Sequence, residues 1–269
     1  MRHWGLHVWR GAALAMQIKR LSDIASQFGG MLIDQFGVIH DGEKLYPGTL
    51  QVLQHLHEMK IPVGVMTNSG KRAASNRERL VRMGVPREYF VDAMSSGEVA
   101  YHLLGKKKAF LIGKQGEDYG FDGVPFVDDV HDADVILILG SDAPNTSMES
   151  YARFFETVSI PAICCNPDKL MLTRSGLQPA PGAIAQLYAD MGGEVRWIGK
   201  PYAEIYTEAL KLIGNPKHVL CIGDSAEHDV AGGRGVGLAT LLVMTGISEG
   251  LDVSTLHPQP DYVAQHFVW

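Results

Sequence analysis

Short apolar runs alternate along the chain with segments in which apolar residues recur every three or four positions. The runs predict buried strands, and the longer period predicts helices with one packed face. Their alternation predicts an α/β protein built on a parallel sheet. We expect strands at residues 30–33, 62–66, 109–112, 135–139, 161–164, 195–198, 219–222 and 240–243.

Two helical stretches are clear between these strands. Leu50, Leu53 and Leu56 recur at three-residue spacing after a Pro-Gly pair. Apolar residues between 205 and 213 follow the i, i+4 rule and stop at Gly214, a residue type that commonly ends helices. These stripes predict packing surfaces and carry no chemistry of their own.

The composition is that of an ordinary globular protein. The chain has 269 residues, of which 46% are hydrophobic and 20% are charged, so one large or two modest domains fit. A formal charge of -6 argues against a nucleic-acid partner, and we expect no membrane association. Three cysteines without disulfide or metal spacing predict buried thiols and a cytoplasmic protein.

The first fifteen residues, MRHWGLHVWRGAALA, are a short stretch of mixed apolar, aromatic and basic character. They are too short for a transmembrane span and too interrupted for a signal peptide. Met16, with QIKRLSDIASQF after it, looks like a better start of the protein. We therefore expect residues 1–15 to be an N-terminal extension with little role.

Polar residues follow two of the early strands at the point where each strand ends. Asp34 ends the first, and Thr67, Asn68 and Ser69 end the second. Ligands of parallel α/β sheets bind outside the carboxyl ends of the strands, so these residues are candidates for one site. A carboxylate there suits a nucleophile or metal ligand, and the hydroxyl, amide and backbone donors suit a phosphate. Taken singly, turn formation and helix capping are the more ordinary explanations of these residues.

Two later strands end in the same way. Lys200 follows one of them, and a lysine at a strand tip can neutralise an anionic intermediate or keep a carboxylate ionised. Asp224 follows the other, with Asp229 five residues later. Carboxylates so close repel each other unless a cation offsets them, and hard oxygen ligands suit Mg²⁺. A helix cap would explain Asp224 and leave Asp229 unexplained.

In this order and placement, Asp, Thr-Asn, Lys and Gly-Asp-x-x-x-x-Asp resemble the four motifs of the haloacid dehalogenase (HAD) superfamily. The class IIA branch, with its p-nitrophenyl-phosphatase-like and sugar-phosphatase-like proteins, is the most similar. The resemblance rests further on NPD at 166–168, PG at 181–182 and GKP at 199–201. It extends from about residue 18 to the end of the chain.

The resemblance implies a doubly wound parallel-sheet core with an inserted α/β cap domain. We expect the core to comprise residues 16–106 and 193–269, and the cap residues 107–192. A cap of this kind covers the catalytic face and supplies substrate contacts, for which Asn166 and Asp168 are candidates. Cap surfaces of such proteins can pair, which leaves a homodimer open.

The resemblance also implies a hydrolase that acts on a small phosphate ester such as a sugar phosphate or nucleotide. Asp34 attacks phosphorus and forms an aspartyl-phosphate. Thr67, with Asn68, Ser69 and nearby backbone N–H groups, binds the phosphoryl oxygens, while Lys200 balances the charge. The expected cofactor is Mg²⁺, held by Asp34, the main-chain carbonyl of Phe36, Asp224 and Asp229.

The chain departs from the family pattern at Phe36, where phosphatases usually carry a second Asp that protonates the leaving group. General acid–base help is typically worth about 10²–10⁴-fold, so we expect slow turnover or a substitute. His40 and Asp41 are candidates, although a surface role suits both. Dehalogenases also have an aromatic residue here, so a 2-haloacid-dehalogenase-like hydrolase is one alternative. A catalytically impaired phosphate-binding protein is the other.

Overall fold

The computed structural model describes residues 15–173 and 176–269. Apart from Ala15, the N-terminal extension expected at residues 1–15 lies outside this range. The strands in chain order are β1 (Met16–Gln17), β2 (Gly30–Asp34), β3 (Val63–Thr67), β4 (Asp92–Ser95), β5 (Ala109–Ile112), β6 (Val135–Ile138), β7 (Ala162–Cys164), β8 (Leu170–Thr173), β9 (Gly176–Pro179), β10 (Val195–Trp197), β11 (Val219–Gly223), β12 (Ala239–Val243) and β13 (Tyr262–Ala264).

Helices fill most of the connections between these strands. They are α1 (Thr49–Glu58), α2 (Ala73–Arg82), α3 (Ser96–Leu104), α4 (Met148–Phe155), α5 (Pro181–Asp190), α6 (Ala203–Leu212) and α7 (Ala231–Gly235). A π-helical turn, Ala226–Val230, leads directly into α7. Both expected helices are present, as α1 and α6. Leu50 is exposed, however, and Val52 packs in its place beside Leu53 and Leu56.

The larger sheet is entirely parallel, with strand order β1-β13-β12-β11-β2-β3-β4. The chain winds outward from β2 through β3 to β4, and from β11 through β12 to β13 on the other side. The order therefore reverses between β2 and β11. This is the position at which α/β sheets open a crevice for ligands.

Both faces of this sheet are covered, as expected for a doubly wound fold. Side chains alternate along β2, so that Met31 and Ile33 pack with α1 and α2 on one face. Leu32 points to the other face, where it packs with α3 and α6. A strand buried on both sides must be apolar throughout, which explains the continuous apolar runs of the sequence.

The second sheet is smaller and also parallel, with strand order β10-β7-β6-β5. A separate apolar cluster of β5, β6, β7, α4 and α5 packs against it. The antiparallel hairpin β8–β9 projects from this part of the chain. We propose that these elements form the inserted cap. Because β10 pairs with β7, its membership of this sheet favours a cap that continues to about residue 198 rather than 192.

Candidate active site

A cavity of about 350 Å³ opens at the carboxyl ends of β2 and β11, at the point where the strand order reverses. Side chains from both sheets line this cavity. Apart from His40 and Asp41, the residues that the sequence analysis put forward for catalysis, substrate or metal are all among them: Asp34, Phe36, Thr67, Asn68, Ser69, Asn166, Asp168, Lys200, Asp224 and Asp229.

Lys200 bridges two of the carboxylates at the bottom of the cavity. Its Nζ lies 2.6 Å from Oδ1 of Asp34 and 2.8 Å from Oδ1 of Asp229. All three side chains are buried, so these ion pairs are barely screened by solvent. The main-chain amides of Gln35 and Ser225 donate further hydrogen bonds to Asp34 and Asp229, at 2.8 and 3.1 Å.

The backbone at Lys200 is held by the tip of β3. Oδ1 of Asn68 accepts a hydrogen bond from the Lys200 amide at 2.7 Å, and its Nδ2 donates to the Lys200 carbonyl at 3.2 Å. The preceding Gly199 has φ +108°, and a Cβ there would lie 2.6 Å from Oγ of Ser96. Only glycine adopts this conformation in so little space, which explains the Gly-Lys pair of the sequence.

Asp224 is fixed between two glycine-containing loops. Its Oδ2 accepts a hydrogen bond from the Ile247 amide at 2.9 Å. A Cβ on Gly37 would lie 2.0 Å from this oxygen, and one on Gly246 would lie 1.9 Å from it. The backbones of Gly37 and Gly246 therefore both lie against the Asp224 carboxylate, and neither position has room for a side chain. Asp224 does not cap a helix, because the following turn is capped by Ser225.

The three carboxylates form a group that could hold a metal ion. One oxygen each of Asp34, Asp224 and Asp229 lies within 4.8 Å of the others. Burial raises the pKa of Asp34 well above its ordinary value, Lys200 opposes this, and the two neighbouring carboxylates add to it. Burial and the charge of Asp229 also raise the pKa of Asp224, to about 6. One lysine therefore does not offset the negative charge of this group.

Burial and the neighbouring carboxylates act on the pKa of Lys200 in directions opposite to their effects on Asp34. Burial alone would lower its pKa, but the carboxylates of Asp229 and Asp34 raise it well above its ordinary value. The ammonium group therefore stays charged at physiological pH.

The turn after β3 presents polar groups to the cavity. Oγ1 of Thr67 accepts a hydrogen bond from the Ser69 amide at 3.3 Å, and Oγ of Ser69 accepts one from the Lys71 amide at 3.2 Å. Helix α2 begins only at Ala73 and has no side-chain cap. The capping role considered for Asn68 and Ser69 is therefore wrong, and both residues belong to the cavity wall.

The NPD segment brings the second sheet into the site. Oδ1 of Asn166 accepts a hydrogen bond from the Asp168 amide at 2.9 Å, which shapes the turn. Oδ1 of Asp168 lies 3.3 Å from Nδ2 of Asn68 and 3.5 Å from Nε2 of His228. Both partners belong to the larger sheet's side of the cavity. Asp168 therefore connects the two parts of the molecule directly above the carboxylates.

Phe36 lines the cavity with an aromatic side chain that is more than half exposed. Its ring contacts that of His40 edge to face, with 5.8 Å between ring centroids. His40 itself is buried, so the expected surface role is wrong. Burial, with a smaller contribution from Arg79, lowers the pKa of His40 to about 4. His40 and Asp41 are not among the residues that line the cavity.

Further cavity residues come from positions that the sequence analysis did not single out. His228 lies in the π-helical turn before Asp229, where the Tyr206 hydroxyl donates to its carbonyl at 2.9 Å. The others are Lys169, Leu170, Ser225 and Ile247. Three of these five are next to a predicted site residue in sequence, namely Lys169, Ser225 and His228. Leu170 and Ile247 gave no sequence signal, because an apolar residue beside a turn is read as packing.

No helix in residues 15–173 and 176–269 is long and apolar enough to cross a membrane. The three cysteines are buried free thiols, as expected.

Comparison with known proteins gives consistent matches. A family model described as haloacid dehalogenase-like hydrolase matches residues 31–126, and one described as HAD-hydrolase-like matches residues 197–269. The chain is 28% identical over 240 residues to a dihydroxyacetone phosphatase of Corynebacterium glutamicum (strain R), with 86% of each chain covered.

Solved structures agree with this assignment. A haloacid dehalogenase-like hydrolase from Brucella suis 1330 has a TM-score of 0.82 and 25% identity, covering 93% of this chain and 100% of that one. The p-nitrophenyl phosphatase from Archaeoglobus fulgidus has a TM-score of 0.71 and 26% identity, covering 89% and 96%. The matched segments contain Asp34, Thr67, Lys200 and Asp224. The chain therefore belongs to the haloacid dehalogenase superfamily and is a hydrolase of its class IIA branch.

Proposed function

We propose that the protein is a Mg²⁺-dependent phosphatase that hydrolyses small phosphate esters through an aspartyl-phosphate on Asp34. The observation that carries this proposal is the ion pair of Lys200 with Asp34 and Asp229 beside Asp224, in a cavity at the switch point of the sheet. The names of the related dihydroxyacetone phosphatase and p-nitrophenyl phosphatase support the reaction class.

The donor set fits a hard divalent cation. Three buried carboxylates converge within 4.8 Å, and a single lysine leaves their charge only partly balanced. Oxygen ligands of this kind are those that Mg²⁺ binds in proteins. We assign the ion to Asp34, Asp224 and the main-chain carbonyl of Phe36, with Asp229 beside it. When bound, it would neutralise negative charge on the transferring phosphoryl group.

Asp34 is the nucleophile in this proposal. Its Oδ1 accepts hydrogen bonds from Lys200 and the Gln35 amide, so we assign the attack to the other oxygen. A bond forms between this oxygen and phosphorus while the bond from phosphorus to the leaving oxygen breaks. Water then hydrolyses the aspartyl-phosphate and releases inorganic phosphate. Lys200 opposes the rise that burial causes in the pKa of Asp34 and, with Thr67 and the amides of its turn, binds the phosphoryl oxygens.

The remaining polar residues of the cavity have supporting roles in this proposal. Asn68 holds the backbone of Lys200, and Ser69 presents a hydroxyl beside Thr67. Asn166 shapes the turn from which Asp168 reaches Asn68 and His228. We propose that these residues bind and position the ester rather than react with it.

Release of phosphate from p-nitrophenyl phosphate tests the proposal directly. We expect turnover with Mg²⁺, loss of turnover in EDTA and loss in Asp34→Asn. Asp252→Asn is the control, because the carboxylate of Asp252 accepts from Ser254 and does not line the cavity. Activity that survives EDTA would contradict the proposal. Halide release from a 2-haloacid would favour the dehalogenase alternative, and binding without turnover would favour the phosphate-binding alternative.

Phe36→Asp tests the missing acid. We expect this variant to raise turnover on alkyl phosphates, whose leaving groups need a proton, by up to about 10²-fold. It should raise turnover on p-nitrophenyl phosphate much less, because nitrophenolate leaves without one. A folded variant that gains nothing on alkyl phosphates would show that another group already supplies the proton.

A further inference from the structure

We infer that the cavity selects phosphate esters with a bulky apolar, ring-bearing leaving group, and that Phe36, Leu170 and Ile247 determine this specificity. The inference rests on the proposed phosphatase function. It goes beyond that function by naming the chemical class of the leaving group and the side chains that contact it.

The three residues form an apolar rim on a cavity whose bottom is charged. Phe36, Leu170 and Ile247 are 52%, 61% and 62% exposed, and all three line the cavity that contains Asp34. Single exposed apolar residues are ordinary on protein surfaces. Three of them around one cavity form a patch of the kind that marks a ligand-binding groove.

Two of these residues come from loops that touch each other. A Cβ on Gly246 would lie 2.8 Å from Cα of Gly37, so the loops carrying Ile247 and Phe36 are in contact. The Ile247 amide also binds Asp224, which places this residue next to the carboxylates. Leu170 comes from β8, in the hairpin of the proposed cap. A ligand in the cavity would therefore meet apolar side chains from both parts of the molecule.

Several polar groups of the wall are already engaged in hydrogen bonds or ion pairs within the protein. Asn68 binds the backbone of Lys200 and the side chain of Asp168, which in turn faces His228. The ammonium group of Lys169 lies 3.0 Å from the Gly182 carbonyl and 3.0 Å from Oε1 of Gln186. A polyol leaving group would have to compete for these partners. An apolar ring would need none of them.

The chemistry at Phe36 favours the same class of ester. An aromatic side chain cannot protonate the leaving oxygen, but it can pack against a ring. When the bond from phosphorus to an aryl oxygen breaks, the electron pair stays on that oxygen and spreads into the ring. Water can supply the proton afterwards. Aryl esters therefore need the general acid least and gain most from the apolar rim.

A comparison of two aryl esters separates the effect of apolar contact with the rim from the effect of leaving-group acidity. Phenyl phosphate and 2-naphthyl phosphate have leaving groups of similar acidity, but naphthyl has a second ring to bury. We expect kcat/KM to be about 10-fold higher for the naphthyl ester, from about 50 Å² of additional apolar burial. Leu170→Ser combined with Ile247→Ser should reduce this ratio to within about 3-fold. Glycerol 3-phosphate should be the poorest substrate of the three.

Matched controls come from apolar residues that are exposed elsewhere. Leu177 lies in the same hairpin as Leu170, and Leu251 follows Ile247 by four residues. Both are exposed and neither lines the cavity, so Leu177→Ser and Leu251→Ser should leave the naphthyl-to-phenyl ratio unchanged. An equal loss of ratio in the controls would overturn the assignment of Leu170 and Ile247.

Binding provides a readout that does not depend on turnover. Calorimetry on Asp34→Asn with Mg²⁺ should show naphthylmethylphosphonate binding about 10-fold more tightly than benzylphosphonate. If no ester is hydrolysed, the proposed function fails and this ratio still decides the inference. If esters are hydrolysed but glycerol 3-phosphate is preferred and the ratio is near one, the inference fails while the proposed function stands.

Discussion

Asn68 binds Lys200 with both ends of its side-chain amide, accepting from the backbone amide at 2.7 Å and donating to the carbonyl at 3.2 Å. The Asn68 side chain thus makes both backbone hydrogen bonds that a neighbouring strand would make, at the point where the chain leaves the second sheet. Lys200, which we propose to be catalytic, is thereby positioned through its main chain, independently of its ion pairs. Its ammonium group then needs only a fixed side-chain rotamer to reach Asp34.

The first prediction concerns this amide. Asn68→Ala should lower the free energy of unfolding by about 1–3 kcal/mol, because it leaves buried polar groups of Lys200 without partners. Asn68→Asp should cost more than Asn68→Ala, although it keeps an acceptor for the Lys200 amide. Its second oxygen would face the Lys200 carbonyl and the carboxylate of Asp168. Urea unfolding measures the free energy of unfolding of both Asn68 variants, and Asn145→Ala at an exposed position is the control. Equal losses for the two Asn68 variants would contradict the bidentate arrangement.

The second prediction concerns the charge of Lys200. Lys200→Met leaves the buried carboxylates of Asp34 and Asp229 without a cation. We expect this variant to lower the free energy of unfolding by about 3 kcal/mol at pH 7.5 in EDTA. The loss should shrink as the pH is lowered, because Asp34 and Asp224 have raised pKa values and take up protons readily. It should also shrink in saturating Mg²⁺, because a bound cation replaces the lost charge.

The control for this charge is Lys211→Met. Lys211 pairs with Glu208 at 2.8 Å on an exposed helix surface. Surface pairs of this kind contribute at most about 1 kcal/mol, so this variant should change stability little at any pH. A loss in Lys200→Met that is no larger than in Lys211→Met would show that the buried ion pairs do not stabilise the fold.

The third prediction separates backbone strain from contact at the proposed metal site. Gly246 and Gly250 both have positive φ, +54° and +75°. Alanine at either position should therefore cost about 1 kcal/mol of stability. Only Gly246→Ala also places a methyl group against Asp224, whereas nothing lies within 4 Å at Gly250. Gly246→Ala should weaken Mg²⁺ binding at least about 10-fold in calorimetry, a displacement worth about 1.4 kcal/mol. Similar affinities in both variants would mean that Asp224 does not contact the ion.

The fourth prediction is a pH dependence away from the active site. Arg72 holds Glu98 through hydrogen bonds of 2.7 and 2.9 Å. Burial alone would raise the pKa of Glu98, but Arg72 and the Ala73 amide bring it below its ordinary value of 4.5. The folded state therefore binds this proton less readily than the unfolded state, so the carboxylate contributes stability above pH 4.5 that is lost as the pH falls through the folded pKa.

Glu98→Gln measures this contribution. We expect it to lower the free energy of unfolding by about 1–2 kcal/mol at pH 7, because it removes charge-assisted hydrogen bonds to Arg72. The difference in free energy of unfolding between Glu98→Gln and the original protein should become smaller below pH 4.5. Glu78→Gln is the control, since Glu78 makes only an exposed pair with Arg82. A difference that stays constant down to pH 3 would contradict the lowered pKa.

Sequence alone predicted the buried part of the fold well. All eight expected strands are present, because each contains a short apolar run, including β10, whose middle residue Arg196 is exposed. The edge strands β1 and β4 were missed, and so was β13, which lies next to β1. They are short, and β4 begins with Asp92 and ends with Ser95, so no apolar run identifies them. Hairpin β8–β9 was missed because Leu170 and Leu177 are exposed, so no buried apolar run identifies it.

The sequence predicted which residues form the candidate site, but not the contacts between them. Strand ends identified Asp34, Thr67, Lys200 and Asp224, because the carboxyl ends of parallel strands meet at one edge. The contact of Asn68 with Lys200 spans 132 positions in sequence, and no local pattern reports it. His228 was missed because only the fold shows that Asp168 faces it.

Asp168 has a consequence for how a ligand fits the cavity. It follows β7 of the smaller sheet, and its partners Asn68 and His228 belong to the larger sheet's side. All three residues line the cavity, whereas Leu32, Leu137 and Ile163 belong to one apolar cluster that also joins the two sheets. A ligand group that replaced Asp168 as the partner of Asn68 or His228 would therefore break polar contacts between the sheets and leave their shared apolar cluster in place.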